Sequence, residues 1–264
     1  MNSLVSELYS KRRQILGLAT ADLKSKVKGS ILGITLIVLY PILFAGIYVG
    51  AYSYAFKATL PGLTSSEYIV YVLTGLIPFL YLSEVIGSST QLFRSYSSVL
   101  RNTPVTHTVL SSMLSISALP PVLILLGTLS VIQAIIIRSP VVILFFFVAT
   151  ILLFLIAVSL SLLVSVICAI IKDLATLMPL LLLSLLMLTP IAYTLDKVPT
   201  IIKLAAVINP ILPIIQLYRS FLIKGNSSYY GFSPWLASFT LVVIATTYAA
   251  YISKRSSMRI LDLT

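Results

Sequence analysis

Apolar and polar positions alternate along this chain in long blocks. Six blocks are apolar over about 20 residues or more, the length a bilayer demands. They cover roughly 30–53, 68–90, 109–137, 140–171, 174–194 and 233–253. Turn chemistry separates several of them: "LPGLTSSE" after the first, "RSP" between the third and fourth, "KD" between the fourth and fifth. Residues 4–28 are too polar to span. Ile15, Ala19, Leu23 and Val27 repeat every four positions among basic residues, the pattern of an amphipathic helix lying on a membrane surface. The other reading is a basic tail that only sets topology. Between the fifth and sixth blocks, residues 195–232 are mostly apolar but are broken by Pro199, Pro210 and Pro213. The pieces are too short to cross. Two short helices meeting at Asn209-Pro210 and dipping into the membrane are expected, lining something wet. The expected fold is therefore an all-α integral membrane protein: an interfacial helix over 1–29, then a six-span domain over 30–264.

Composition agrees with that reading. Hydrophobic residues make up 59% of the 264 and charged residues only 9%, against about 25% charged in a soluble domain. The net charge of +11 would suggest nucleic acid in a soluble protein. Its distribution says otherwise. With the N-terminus inside, Lys11, Arg12, Arg13, Lys24, Lys26, Lys28, Arg94, Arg101, Lys172, Lys254, Arg255 and Arg259 fall on inside segments. Lys57, Arg138, Lys197, Lys203, Arg219 and Lys224 fall outside. This excess places both termini on the cytoplasmic side of the cell membrane, and topology with anionic lipid accounts for the charge without nucleic acid. The first 29 residues lack the apolar core of a cleavable signal. Cys168, the lone cysteine, lies in an apolar run and reads as a small buried hydrophobe.

The chain offers little chemistry of its own. It has no Gly-x-x-x-x-Gly-Lys-Ser/Thr loop for phosphate and no His/Cys cluster for a metal. His107 falls in an inside loop and reads as solvated. No arrangement of Ser, His and Asp suggests a nucleophile elbow, so an enzyme is not expected. Ion-coupled carriers keep ionisable groups within their spans. Here only Glu84 is clearly inside one, and it reads as a proton site, a snorkelling group or a hydrogen-bonded structural group. A chain so equipped still has to be driven, most simply by a separate ATPase on its inside loops.

One feature of the first block stands out. In "YPILFAGIYVGAY", Tyr40, Phe44, Tyr48 and Tyr52 recur every four residues. At about 100° per residue they form one slanting stripe. Phenols facing hydrocarbon in mid-span would lack partners. Either the stripe lines a passage, where ring faces stack on sugars and hydroxyls bond them, or it serves helix packing with an interfacial belt at Tyr52 and Tyr54. Tyr71, Phe79 and Tyr81 in the second block are candidates for the same lumen. Lys24, Lys26 and Lys28 are candidates for an anionic group at the inner entry, such as a lipid pyrophosphate; individually, each also reads as snorkelling at the interface.

Four segments also resemble a known family. "DLKSKVKGSILG" (22–33) resembles the entry motif of ABC-2 permeases that export cell-surface polysaccharides. "LTGLIPFLYLSEVIGSST" (73–90) resembles their second span, with its Gly-x-x-Pro-aromatic element. "LTPIAYTLDKVP" (188–199) is similar to their turn out of span five, and "INPILPIIQLYRSFLIKG" (208–225) to their Asn-Pro-x-x-Pro-x-x-x-x-x-Arg segment. The resemblance extends over about 20–255 and is nearest to O-antigen and capsule permeases, with teichoic acid permeases close behind. It implies a homodimer of six-span subunits with two copies of an ATPase subunit, which holds ATP and Mg. This chain would bind no cofactor itself, and the cargo would be a lipid-linked glycan. The helix over 4–28 and the loop 91–108, with Arg94, Arg101, Asn102 and Pro104, would meet the ATPase; Thr103 stands where relatives often carry an aromatic. Segment 195–232, with Asn209, Pro210, Pro213 and Arg219, would form outer gate helices. A drug or small-lipid exporter and an ion-coupled carrier using Glu84 are the competing readings.

Overall fold

The computed structural model describes residues 2–33, 35–52, 63–194, 198–209 and 211–223, with 236, 237, 240, 241, 243–245, 247, 248 and 251 from the C-terminal segment. Pro210, Lys197, Lys224, Tyr54 and most of the expected sixth span lie outside the described residues. The described residues of that span are helical.

The N-terminal segment is two helices, α1 (Asn2–Ser10) and α2 (Arg12–Val27). Their apolar line is used against protein. Ile15 and Ala19 are buried, and α2 packs along α7 (His107–Ser117). The chain then turns through Gly29 and Gly33, both at positive φ, which glycine adopts without steric cost. The helix of the first expected span, α3 (Thr35–Gly50), is 16 residues long, contains Pro41, and ends in a π-helical turn at Ala51–Tyr52.

Helix α4 (Ser65–Ser89) opens on a capping box. Thr64 Oγ1 accepts from the Glu67 amide, and the Glu67 carboxylate accepts from the Thr64 amide at 2.8 Å. Two short helices follow, α5 (Leu92–Ser95) and α6 (Ser97–Asn102), within the loop 91–108.

The expected third span, 109–137, is not continuous. Pro120 and Pro121 lack the amides needed to extend α7, yet suit the first turn of a new helix. They start α8 (Pro120–Ile137). Helix α9 (Val141–Ile170) runs 30 residues, about 45 Å at 1.5 Å per residue, and so outreaches the hydrocarbon layer of about 30 Å. Its far end meets α5 and α7. A single extended residue, Ile171, separates it from α10 (Lys172–Leu188), which carries Pro179. The fifth span thus ends at Leu188, short of the expected 194. The segment after it forms α11 (Thr200–Ile208) and α12 (Leu212–Leu222).

Among the described residues, three helices are long and apolar enough to cross a membrane: α4, α8 and α9. Helix α4 is the axis of the main core, packed by α3, α8, α9 and α12. A second core joins α2, α5, α7 and the end of α9. Much of the outer surface of α8, α9 and α10 is exposed aliphatic and aromatic side chain, as a lipid-facing surface requires.

Candidate functional site

The four rings of the first span stack along α3. Tyr40 and Phe44 centroids lie 6.3 Å apart, Phe44 and Tyr48 6.2 Å, Tyr48 and Tyr52 4.8 Å. The column changes character along its length. Tyr40 is 65% exposed, Phe44 is half-buried, and Tyr48 is buried in the main core with Tyr52 packed against it. Tyr40 lines a cleft of about 440 Å³ with Ile37, Pro41, Ile77, Ser83 and Glu84; the α7–α8 break supplies Ala118 and Pro121 as its far wall. Proline at 41 cannot donate to the Ile37 carbonyl, so that carbonyl lacks its helical donor beside the cleft. The Ser83 hydroxyl is buried and makes no hydrogen bond.

Of the second-span aromatics, Tyr81 lines the same cleft, while Phe79 and Tyr71 are not among its lining residues. Phe79 is buried in the core. Tyr81 is buried and donates to the Ser115 carbonyl at 3.0 Å. Tyr71 is buried and donates to the Tyr193 carbonyl at 3.2 Å.

Tyr71 belongs to a tighter arrangement at that end of the bundle. Residues 189–193, which follow α10, are not helical. Backbone without a ladder inside a membrane needs other donors, and four consecutive carbonyls find them. Arg219 Nη1 donates to Pro190 at 3.0 Å, and Nη2 to Ile191 at 2.9 Å and to Tyr71 of α4 at 3.3 Å. Tyr68 donates to Ala192 at 3.1 Å, and Tyr71 to Tyr193. The buried guanidinium also lies 3.5 Å over the Tyr71 ring. Asn209 is buried, donates to Thr189 Oγ1 at 2.7 Å and caps the Ile211 amide at 2.9 Å. Pro213, half-buried, occupies the first turn of α12. Gly75 makes this packing possible: a Cβ there would lie 2.9 Å from Arg219 Nη2.

At the other end of α4, Glu84 is paired. Lys26 Nζ donates to Glu84 Oε1 at 2.8 Å and lies 3.4 Å from Asp22 Oδ2. Burial works to lower the Lys26 pKa, and the carboxylates of Glu84 and Asp22 outweigh it, holding it above the usual lysine value. Lys24 and Lys28 are exposed. The other Asp22 oxygen accepts from the Tyr96 hydroxyl at 3.2 Å. Burial, with the Asp22 charge, pushes Tyr96 up to about 12, so it remains a donor. Helix α1 and the residue after it hold the same loop further along, through Thr106 to Glu7 at 2.7 Å and Lys11 to the Pro104 carbonyl at 3.4 Å.

Arg94, Arg101, Asn102 and Pro104 are exposed, and α6 buries no residue. His107, expected in solvent, is buried instead. It bonds Ser165 at 2.7 Å and stacks near Phe93 at 4.7 Å. Burial lowers its pKa to about 4, leaving the imidazole neutral. Serines at 111, 112, 115 and 117 let α2 and α9 approach α7 closely, which encloses it. Among the described residues no group of three or more metal-binding side chains occurs.

The profile of the ABC-2 type transporter family matches residues 13–223, a span holding the aromatic column, the cleft, the Lys26–Glu84 pair and the Arg219 clamp. The chain belongs to the ABC-2 type transporter family. No curated protein aligns significantly with it. An ABC-2 chain is the membrane subunit of a transporter that normally works with an ATPase subunit, and its apolar helices make it a membrane protein. Within that frame, Asp22, Tyr68, Gly75, Tyr96 and Thr189 are additions to the sequence-derived site. Gly75 and Thr189 lay inside the quoted motifs. Asp22 opens the quoted 22–33 motif, but no signal paired it with Tyr96, because only the fold brings them together.

Proposed function

We propose that this ABC-2 subunit forms a homodimeric passage for a lipid-linked polysaccharide of the O-antigen type, leaving the cytoplasm across the cell membrane. Two copies of a separate ATPase drive it, binding at the exposed loop around Arg94, Arg101, Asn102 and Pro104. The column Tyr40–Phe44–Tyr48–Tyr52 carries this reading. Its exposed ring, Tyr40, opens on the cleft, and ring faces grip sugar C–H surfaces weakly enough to let a polymer slide. The Arg219 clamp closes the opposite end as a gate, with α11 and α12 as its moving parts. The chain would carry both termini on the cytoplasmic side.

Tyr40→Ala with Phe44→Ala, in cells whose surface glycan depends on this exporter, should abolish surface glycan while the subunit still reaches the membrane. Normal surface glycan from that double variant would defeat the proposal. The cleft itself favours a second reading, export of a small amphipathic lipid or drug, because about 440 Å³ is the size of a small-molecule site. Under that reading the double variant loses resistance or lipid export and keeps its glycan. A proton-coupled carrier would need Glu84 free to exchange protons, whereas Lys26 occupies it.

A further inference from the structure

Asp22 joins two groups that belong to different parts of the molecule. Tyr96, on one side, is the only residue between α5 and α6; at φ −114° and ψ 19° it bends the chain there, while its N–H donates to the Leu92 carbonyl and its own carbonyl accepts from Leu100. A rotation of the exposed α6 about that hinge moves the Tyr96 ring directly. Lys26, on the other side, is tied to Glu84 on the cleft wall. The contacts are continuous: Tyr96 to Asp22 at 3.2 Å, Asp22 to Lys26 at 3.4 Å, Lys26 to Glu84 at 2.8 Å. We infer that Tyr96, Asp22, Lys26 and Glu84 form a polar relay by which motion of the α5–α6 loop opens the cleft at its Glu84 end. The inference rests on the transport reading but not on the identity of the cargo.

The physical basis is competition for one ammonium. Lys26 sits between two carboxylates, and Tyr96 holds one of them in place. When Tyr96 swings away, Asp22 gains an unfilled acceptor and draws Lys26 toward α2, so the Lys26–Glu84 bond parts and the mouth beside Ser83 is uncovered. The two arrangements are discrete, as a coupling element requires.

Ser83 supplies the reporter, because its hydroxyl is buried next to Glu84 in the cleft wall. The full chain carrying Ser83→Cys in a Cys168→Ala background, reconstituted in liposomes, is labelled with a water-soluble maleimide. Glu84→Gln should raise the labelling rate about fivefold. Tyr96→Phe, which removes one hydroxyl remote from the cleft, should raise it by a similar factor, and the two together no further. The exchange Lys26→Glu with Glu84→Lys should return the rate toward that of the parent. A Tyr96→Phe rate equal to the parent's, with Glu84→Gln raised, would reduce the ion pair to a local tie and overturn the relay. Unchanged labelling in both would remove the gate altogether. No cargo enters the assay, so an error about the glycan leaves its outcome untouched.

Discussion

The two ends of α4 hold polar groups in opposite ways. At one end a lysine stands between two carboxylates, of which Asp22 also accepts from Tyr96 and Glu84 has a side chain 41% exposed. Ion pairs of this kind contribute about 0–1 kcal/mol, and either partner is easily exchanged. At the other end a buried arginine donates to three neutral carbonyls, with an aromatic ring beneath its plane. The Tyr71 carbonyl also accepts from Thr74, but a bond lost at Pro190 or Ile191 leaves a buried acceptor unfilled and is felt in full. The first arrangement suits a contact that must break during a cycle. The second suits a fixture, or a gate that moves only as a rigid unit.

Arg219→Ala should show the fixture at its strongest. It strands the Pro190 and Ile191 carbonyls, a loss of about 3–5 kcal/mol by analogy with breaking other buried charged contacts. Arg219→Lys should recover little of it, because an ammonium lacks the planar fork that reaches two elements at once. Thermal unfolding in detergent checks both, and a lysine variant as stable as the parent would deny the clamp its geometry. Acid gives the next largest effect, at the far end. His107 has a folded pKa of about 4 against about 6.5 unfolded. The unfolded chain therefore binds the extra proton first. Stability is complete above about pH 6.5, falls as pH drops toward 4, and loses about 3 kcal/mol in all. His107→Gln, which keeps a partner for Ser165 but does not titrate, should flatten melting temperature against pH over that window. An equal acid loss in parent and variant would place the sensitive group elsewhere.

These two cases also mark how far the sequence could be read. The clamp was half legible. Gly75 in 73–90, the turn in 188–199 and the Asn209 to Arg219 segment carried the family resemblance as separate motifs, and the fold brings all three into contact. Period and apolar length located the helices because membrane segments announce themselves by hydropathy. The same criterion hid the break at Pro120-Pro121, since a run stays apolar whether or not its helix is continuous. His107 was misjudged for a related reason. It is flanked by Thr106 and Thr108, and the serines at 111, 112, 115 and 117 look like loop but here are the small residues that let helices close around a buried ring. The Lys26–Glu84 bond joins residues 58 apart, and no periodicity within either helix points across that gap. Aromatic spacing foretold the column, but not that Tyr48 is buried while Tyr40 is open, which depends on what packs against α3.

Gly75→Ala tests the clamp more gently. In an unconstrained helix the change should gain about 1 kcal/mol of propensity. Here the new Cβ would meet Arg219 Nη2 at 2.9 Å and Ile191 Cγ2 at 3.4 Å. The guanidinium is an otherwise flexible tip, but its bonds hold it, so a net loss of about 1 kcal/mol is expected. In an Arg219→Ala background the clash disappears and Gly75→Ala should become neutral or stabilising. Equal effects in both backgrounds would separate the glycine from the arginine.

The smallest effect belongs to the phenols that complete the carbonyl set. Tyr68 and Tyr71 each donate one neutral hydrogen bond, to Ala192 and Tyr193. Removing the hydroxyl alone should cost about 1 kcal/mol at each position. Because Tyr71 also lies under the guanidinium, Tyr71→Phe retains a ring for Arg219 while Tyr71→Leu loses it, a further penalty of about 1 kcal/mol. Tyr68 contributes its hydroxyl to Ala192, so Phe and Leu should differ there mainly by packing. A four-variant comparison of melting temperatures therefore asks whether the fixture depends on the guanidinium–ring contact or on the carbonyl bonds alone. Matching Phe-to-Leu differences at 68 and 71 would assign it to the carbonyl bonds. The clamp would then differ from the Lys26–Glu84 end only in the burial of its bonds.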